Sequence, residues 1–374
     1  MKFSVLQENL NLALSHVSRF ISNKSQLPIL SNILISTDDG RLKLSATNLD
    51  IGINYWIGVK IEKEGSITIP SKEVTEFVSY LNSGKLEVEL DDRNLFSIKS
   101  EKFNSDFTTI PSVDFPTLPP LNSKSSIDIK ASLLKDTVSQ VVFSAATDDS
   151  RPVLTGVLCK FTTDHLSLVA TDGFRLSLKK IKLVNPISLP DNKESFTFLL
   201  PSRTLSEVVK LSKTDDKIKI GLTPDEHQVV FVLEDMELVS GLIDGEYPDY
   251  TKIIPESFTT SIFVNRDELA QAIRIASVFA SKSANVVKLN IKNNKLELSA
   301  NASQLGKNKA DLDVKIEGEN LEIAFNYKFI SDFLSNCKGQ EVVIKLNEAL
   351  SPGLFQDQAD PDFTHIIMPV RIQD

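Results

Sequence analysis

LSATNLDIGI, residues 44–53, reads as the end of a strand running into a turn. The chain repeats that pattern twice. Residues 168–177 read LVATDGFRLS and residues 298–307 read LSANASQLGK, at intervals of 124 and 130 residues. A period that long exceeds a solenoid unit and matches a whole small domain. The flanking sequence repeats as well. An amphipathic helix is predicted early in each copy, carrying Leu6, Leu10, Leu14 and Val17, then Leu134, Val138, Val141 and Ala145, then Leu269, Ile273, Ala276 and Ala280. These spacings place each set on one helical face.

A second helix is predicted at PSKEVTEFVSYL (70–81), PSRTLSEVVKLS (201–212) and NYKFISDFLSNC (326–337), with Ser71 and Ser202 as N-caps of the first two. Between the helices apolar and polar residues alternate, as in GRLKLS (40–45), KLEVEL (85–90), KIKI (217–220) and KLELS (295–299). That alternation predicts half-buried strands. Asp39-Gly40, Asp172-Gly173 and Asn293-Asn294 punctuate them as turns. The fold class expected is α+β, with three tandem domains at 1–124, 125–257 and 258–374, joined near 116–126 and 254–260.

Composition sets outer limits. The chain has 374 residues, 41% apolar and 24% charged, as in a soluble globular protein. No run approaches the roughly 20 apolar residues of a membrane span. The first 20 residues lack the apolar core and cleavage site of a signal peptide. Cys159 and Cys337 have no metal-ligand spacing, so free thiols in a cytoplasmic protein are expected. A net charge of −9 argues against a simple basic nucleic-acid binder, although distribution matters more than the sum.

With the repeats in view, LPILSNILI (27–35), VATDGFRLS (169–177), DGEYPDY (244–250) and MPVRI (368–372) give a resemblance that runs through the chain in order. The family it resembles is the bacterial sliding clamp, the beta subunit of the replicative DNA polymerase. The resemblance implies three clamp domains, each with two helices packed on antiparallel sheets, and a head-to-tail homodimer closing a ring around duplex DNA. It implies a processivity factor that tethers the polymerase alpha subunit, the clamp loader, and other polymerases and repair proteins through linear motifs. The alternative is a repeat-built scaffold that docks linear peptides without binding DNA.

A DNA channel requires positive charge on the helices. The six helical segments sum to +3, leaving −12 elsewhere, so the segregation is weak but has the right sign. Weak phosphate binding suits a ring retained by topology. Lys72, Lys135, Arg203, Lys210, Arg274, Lys282 and Lys328 are the candidate DNA contacts on helices, although surface Lys and Arg also simply solvate helix faces. The resemblance adds Lys24 and Arg151 in loops, with lysine standing at 24 where the family has arginine.

The resemblance also implies a pocket for partner peptides. It would draw on Leu154, Thr171, Gly173, Phe174, Arg175 and Leu176, on Pro248, Lys252 and Ile253, and on Ile366, Ile367, Met368, Pro369, Val370 and Arg371. Phe174 replaces a family histidine and Lys252 an arginine. Plainer readings stand beside this one: Thr171-Asp172-Gly173 makes a good turn and 366–370 a good core strand. The comparison among copies favours a site, because Gly173, Phe174 and Arg175 occur only in the middle copy. The dimer seam implied by the resemblance uses Phe103 and Phe107 of one edge strand against Ile273, Val278 and Phe279.

No chemistry is legible. GxxxxGK, HExxH and GxSxG are absent, and His16, His165, His227 and His365 are scattered. Asp357, Asp360 and Asp362 read as a solvated acidic loop rather than a cation site. The expectation is an accessory subunit without catalytic activity, cofactor or metal, and without membrane contact.

Overall fold

The computed structural model describes residues 1–21, 27–122, 126–183, 186–187, 189 and 194–371. The first repeat runs β1 (Lys2–Leu6), α1 (Gln7–Val17), β2 (Asn32–Asp38), β3 (Arg41–Thr47), β4 (Ile51–Gly58), β5 (Lys60–Lys63), β6 (Ser66–Pro70), α2 (Ser71–Tyr80), β7 (Lys85–Leu90), β8 (Leu95–Lys99) and β9 (Asn104–Thr108). The second runs β10 (Ser126–Lys130), α3 (Ala131–Ser139), β11 (Gly156–Phe161), β12 (His165–Thr171), β13 (Arg175–Lys182), β14 (Phe196–Pro201), α4 (Ser202–Leu211), β15 (Lys217–Leu222), β16 (Gln228–Val232) and β17 (Met236–Gly241). The third runs β18 (Thr260–Asn265), α5 (Arg266–Ala280), β19 (Val286–Lys292), β20 (Lys295–Ala302), β21 (Gly306–Asp313), β22 (Lys315–Gly318), β23 (Leu321–Asn326), α6 (Tyr327–Ser335), β24 (Glu341–Leu346), β25 (Gly353–Asp357) and β26 (Asp360–Ile367).

The first and third strings match element for element. The second lacks an equivalent of β5 and β22, in a stretch that includes residues outside those described. The expected α+β repeat is therefore the observed one. Two compact units form, one from 1–132 with 207–242, the other from 133–206 with 243–374. The second repeat contributes to both. In the first unit the sheets run β5-β1-β7-β8-β9 and β10-β15-β16-β17-β4-β3-β2-β6. In the second they run β14-β11-β12-β13-β26-β25-β24-β18-β22 and β21-β20-β19-β23. Two junctions thus pair strands of successive repeats. β4 pairs antiparallel with β17, and β13 with β26.

Within the first unit α1 packs on α2 and on β3 and β4, burying Leu10, Ala13, Leu14 and Val17. Leu6 falls outside that stripe. It is the residue before the helix and stays 53% exposed, because the chain is still extended there. Within the second unit α5 packs on α6 and on β19, β20 and β21. Phe333 of α6 stacks among Phe355, Phe363 and His365, with ring centroids 5.5–5.8 Å apart. Each side chain buried this fully contributes roughly 1.5–3 kcal/mol.

Helix starts differ from expectation. Ser71 and Ser202 are the first helical residues rather than caps, and Pro70 caps α2 without a side-chain bond. Asn265 and Asn326 do cap α5 and α6, their carbonyl oxygens accepting from the first-turn N–H groups. α3 stops at Ser139, yet Val141 and Ala145 beyond it remain buried.

The opening motif is one turn used twice. Thr47 Oγ1 donates to the Ile51 carbonyl (3.1 Å) and accepts from Leu49 N–H (3.0 Å), while Asn48 Oδ1 accepts from Asp50 and Ile51 N–H (3.1 and 2.9 Å). Thr171 and Asp172 repeat every one of these bonds around Gly173. The third residue has φ 78° at Leu49 and 90° at Gly173. A left-handed conformation strains leucine and not glycine. Leu49→Gly is therefore expected to stabilise the protein by about 0.5–1 kcal/mol, read as a higher urea midpoint with unchanged slope. Gly173→Ala should move the midpoint the other way.

Candidate docking site

The turn 171–175 leads into β13, and its geometry sets one wall of a cavity of about 450 Å³. Leu176 and Ile366 form the floor. They are direct partners across β13 and β26, and Leu354 of β25 pairs with Ile366 on the other side. All three are buried, with Val169, in a small cluster covered by Tyr247, Tyr250, Ile254 and Phe258 of the connector. Lys252, Ile253 and Pro255 of that connector form the second wall. Asn347, Ser351 and Pro352, from the loop between β24 and β25, form the third. Met368 closes the rim, its N–H donating to the Phe174 carbonyl at 2.8 Å.

The rim is more apolar than a solvent-facing loop requires. Ile253 and Met368 are 36% and 37% exposed, and Phe174 and Leu350 stand further out at 61% and 64%. An apolar floor with exposed apolar side chains around it is the signature of a surface awaiting a partner. Polar capacity is limited. The Thr171 hydroxyl serves its own turn, Asn347 holds Ser257 and Thr259, and Lys252 lies 3.1 Å from Asp249.

Of the residues expected here, Thr171, Gly173, Arg175, Leu176, Lys252, Ile253, Ile366 and Met368 line the cavity. Others do not. Ile367 points to the opposite face of β26 and is fully buried in the main core, as the two-residue period of a strand dictates. Leu154 is buried beneath the turn before β11. Pro248, Phe174 and Arg371 are exposed outside it, and Pro369 is half-buried. Val370 ties the tail to β23, its N–H donating to the Ala324 carbonyl at 2.8 Å. Pro255, Asn347, Ser351 and Pro352 were not anticipated. Nothing local marks the loop at 347–352, which reaches the cavity only because β25 pairs with β26.

Arg175 lines the cavity with much of its donor capacity already engaged. Its guanidinium donates to Asp172, Asp332 and the Phe143 carbonyl, and lies 4.6 Å from the Phe329 ring centroid. Gly173 is likewise structural. Besides its positive φ, a Cβ there would sit 2.8 Å from Arg151 Nη1, whose partner nitrogen donates to the Asp172 carbonyl at 2.8 Å. The uniqueness of these residues to the middle repeat therefore reflects how that turn is anchored. Arg151 itself braces this turn.

The other expected residues fall as follows. Lys24 lies outside the described residues. Lys72, Lys135, Arg203, Lys210, Arg274, Lys282 and Lys328 are all exposed. Lys210 and Arg19 both pair with Glu207 (3.1 and 3.0 Å), and Lys338 pairs with Asp136 (2.7 Å), so cations on and just beyond the helices are partly neutralised by helix acids. Phe103 and Val278 are exposed, Phe279 is half-buried, and Phe107 packs edge-on against Phe77 at 5.4 Å. Ile273 departs from expectation. It is 2% exposed on the inward stripe of α5 with Leu269, Ala272 and Ala276, so it serves the core rather than a seam.

The acidic loop is solvated as expected only at Asp362. Asp357 is fully buried and accepts from the N–H groups of Lys338, Gly339 and Ala359. Asp360 pairs with Lys179 and accepts from Gln140. No cluster among the described residues could hold a metal ion. Both cysteines are buried, and burial pushes their thiols well above the usual range. No described helix is long and apolar enough to cross a membrane.

Tandem two-helix domains whose sheets join strand to strand, with a shallow apolar pocket beside one junction, define a clamp-type protein. Comparison with known proteins agrees. The DNA polymerase III beta subunit N-terminal, central and C-terminal domains match residues 1–119, 128–249 and 251–371. The beta sliding clamp of Bacillus subtilis is 32% identical over 99% of this chain and 100% of its own length, and that of Synechococcus elongatus 31% identical over 100% of both. The crystal structure of the Bacillus subtilis sliding clamp covers 100% of both chains with a TM-score of 0.93. The beta subunit of Thermotoga maritima does so at 30% identity with a TM-score of 0.91. This chain belongs to the DNA polymerase III beta subunit family, the bacterial sliding clamps, and functions as a processivity clamp.

Proposed function

We propose that two copies of this chain close a ring around duplex DNA, by pairing β21 of one with β9 of the other. One observation carries this reading. β4, β13 and β21 occupy the same place in the three repeats, as do β17, β26 and β9. The first set pairs with the second at two junctions, β4 with β17 and β13 with β26. β21 and β9 are the remaining members, and each is an edge strand. An unpaired edge presents a row of backbone donors and acceptors. Head-to-tail pairing of these edges continues the internal pattern and closes when the rotation allows. Phe103, Phe107, Val278 and Phe279 flank the seam in this reading, and the domains are those of 1–124, 125–257 and 258–374.

Native mass is expected to give a dimer. A loaded clamp is expected to stay on nicked circular DNA and to leave when the circle is cut; equal retention on both would overturn encirclement. The exposed cations Lys72, Lys135, Arg203, Lys210, Arg274 and Lys328 on helices and Lys282 just past α5 contact phosphates weakly, as sliding requires. In this reading the chain is a cytoplasmic accessory subunit without catalytic activity.

The apolar pocket docks linear segments of the polymerase alpha subunit, the clamp loader and other polymerases and repair proteins. Ile253 and Met368 are exposed in the free protein, so changing them spares the core. Ile253→Asp with Met368→Asp is expected to weaken binding of a peptide with aliphatic anchors by roughly 30- to 100-fold, about 2–3 kcal/mol. Fluorescence anisotropy reads this, and unchanged affinity would remove the pocket assignment.

A further inference from the structure

The connector that walls the docking pocket has a second cavity on it, of about 600 Å³. Lys252 and Ile253 line the first cavity, Tyr250, Thr251 and Ile254 line the second, and Pro255 lines both. The sheet side of the second groove is a cross-strand row. Lys160 of β11 is the direct partner of Ser167 of β12, which is the direct partner of Lys180 of β13. Two strand spacings place the lysine stems roughly 10 Å apart on one face. The small serine between them leaves the space open.

Both lysines are exposed, and neither forms an ion pair with any described residue. The acids at the groove are Asp164 and Glu256. Asp164 is engaged by His165 Nδ1 at 2.8 Å and by the Thr162 hydroxyl. Glu256 lies on the connector side of the groove, while Lys160 and Lys180 on the sheet side have no ion-pair partner among the described residues.

We infer that this groove seats an acidic flank of the same peptide that docks in the apolar pocket, with Lys160 and Lys180 as its anchors. The inference rests on the docking reading above and extends it. Continuity carries it, because the two cavities share Pro255 and follow one another along β13, with Leu176 lining the first and Leu178 and Lys180 the second. Charge carries it too, because the two cations have no partner of their own. An extended chain advances about 3.3 Å per residue, so about three residues span the roughly 10 Å between the lysine stems. Exposed charge pairs contribute little individually, so the groove tunes affinity while the apolar anchor sets it.

The test uses the full chain and four labelled peptides sharing one aliphatic anchor. One ends at the anchor, and the others carry five-residue tails of aspartate, serine or lysine, made in versions at either end. In low salt the aspartate tail at one end is expected to improve affinity roughly three- to ten-fold over serine, and the lysine tail to weaken it. The gain should vanish in Lys160→Ala with Lys180→Ala and at high salt, while the untailed anchor binds as before. Lys160→Glu with Lys180→Glu should reverse the preference to the lysine tail. Equal affinity of aspartate and serine tails at both ends, or a gain surviving both lysine changes, would overturn the proposal and leave the pocket intact. Preference of these lysines for a labelled oligonucleotide over the acidic tail would overturn it as well. If no peptide bound the wild-type pocket, the docking reading itself would fall, and this proposal with it.

Discussion

Replacing Arg175 with alanine is expected to destabilise the protein by about 3 kcal/mol, through lost charge-assisted hydrogen bonds and an exposed gap. For a unit of this size that corresponds to a melting point roughly 6–10 °C lower. The side chain is 12% exposed and supports three separate segments. It holds Asp172 of its own turn, Asp332 on α6 and the carbonyl of Phe143, and it packs on the rings of Phe143 and Phe329. Alanine leaves Asp172, 17% exposed, with only its backbone N–H donors, and opens space between two aromatic rings. Lysine should recover less than half of the loss, because one ammonium cannot replace a planar fork or stack as guanidinium does. Peptide affinity should fall with stability, since the turn at 171–175 forms a wall of the pocket. Asp332→Asn offers a milder probe, because that carboxylate is 44% exposed and water replaces part of what it loses. A melting point unchanged in Arg175→Ala would show that the side chain serves only a ligand.

His365 predicts the protein's response to acid. It is fully buried, with Nδ1 2.8 Å from the Ser177 hydroxyl and its ring stacked on Phe333. Burial first, then the Arg175 charge, pushes its pKa down to about 3, with the Phe329 carbonyl opposing only weakly. The folded protein therefore keeps this imidazole neutral while the unfolded chain takes up a proton below pH 6.5. Above pH 6.5 the group is neutral in both states and imposes no penalty. Below it stability falls, and the fall ends near pH 3, where the folded protein protonates as well. By pH 5 the loss from His365 alone is about 2 kcal/mol. His16, which burial also holds below its usual value, adds to the slope in the same window. His365→Gln is expected to lower stability at pH 7.5 and to flatten its decline between pH 6.5 and 5. Urea unfolding at those pH values measures both, and parallel declines in the two proteins would contradict the assignment. Carboxylates such as Asp360, held low by Lys179 and Gln140 despite burial, lose their contribution only at lower pH.

The helical stripes and alternating strands were legible because burial writes its period into the sequence. Leu10, Leu14, Leu269 and Ala276 are buried where that period places them. Eight of the twelve residues lining the cavity are legible through resemblance, since motifs such as those holding Thr171, Leu176 and Ile366 are contiguous. Ile367 was misplaced although strand alternation alone excludes it once Ile366 is assigned to the pocket. The acidic run DQADPD looked like a solvated loop, because charge in sequence carries no record of partners. Asp357 instead caps backbone N–H groups contributed from residues 338 and 339.

The sequence by itself determined that one domain pattern occurs three times, with helices and strands in a common order. Periodicity and turn chemistry are local, and a repeat declares itself by comparison with its own copies. Only the tertiary structure decided which strand edges meet, and hence that β4–β17 and β13–β26 are junctions while β9 and β21 remain edges. It alone decided that Asn347, Ser351 and Pro352 reach the pocket and that Arg175 is bound to α6. Such contacts join residues more than 150 positions apart, as Arg175 and Asp332 are. Their energies depend on distance and burial, which the linear order of residues does not encode.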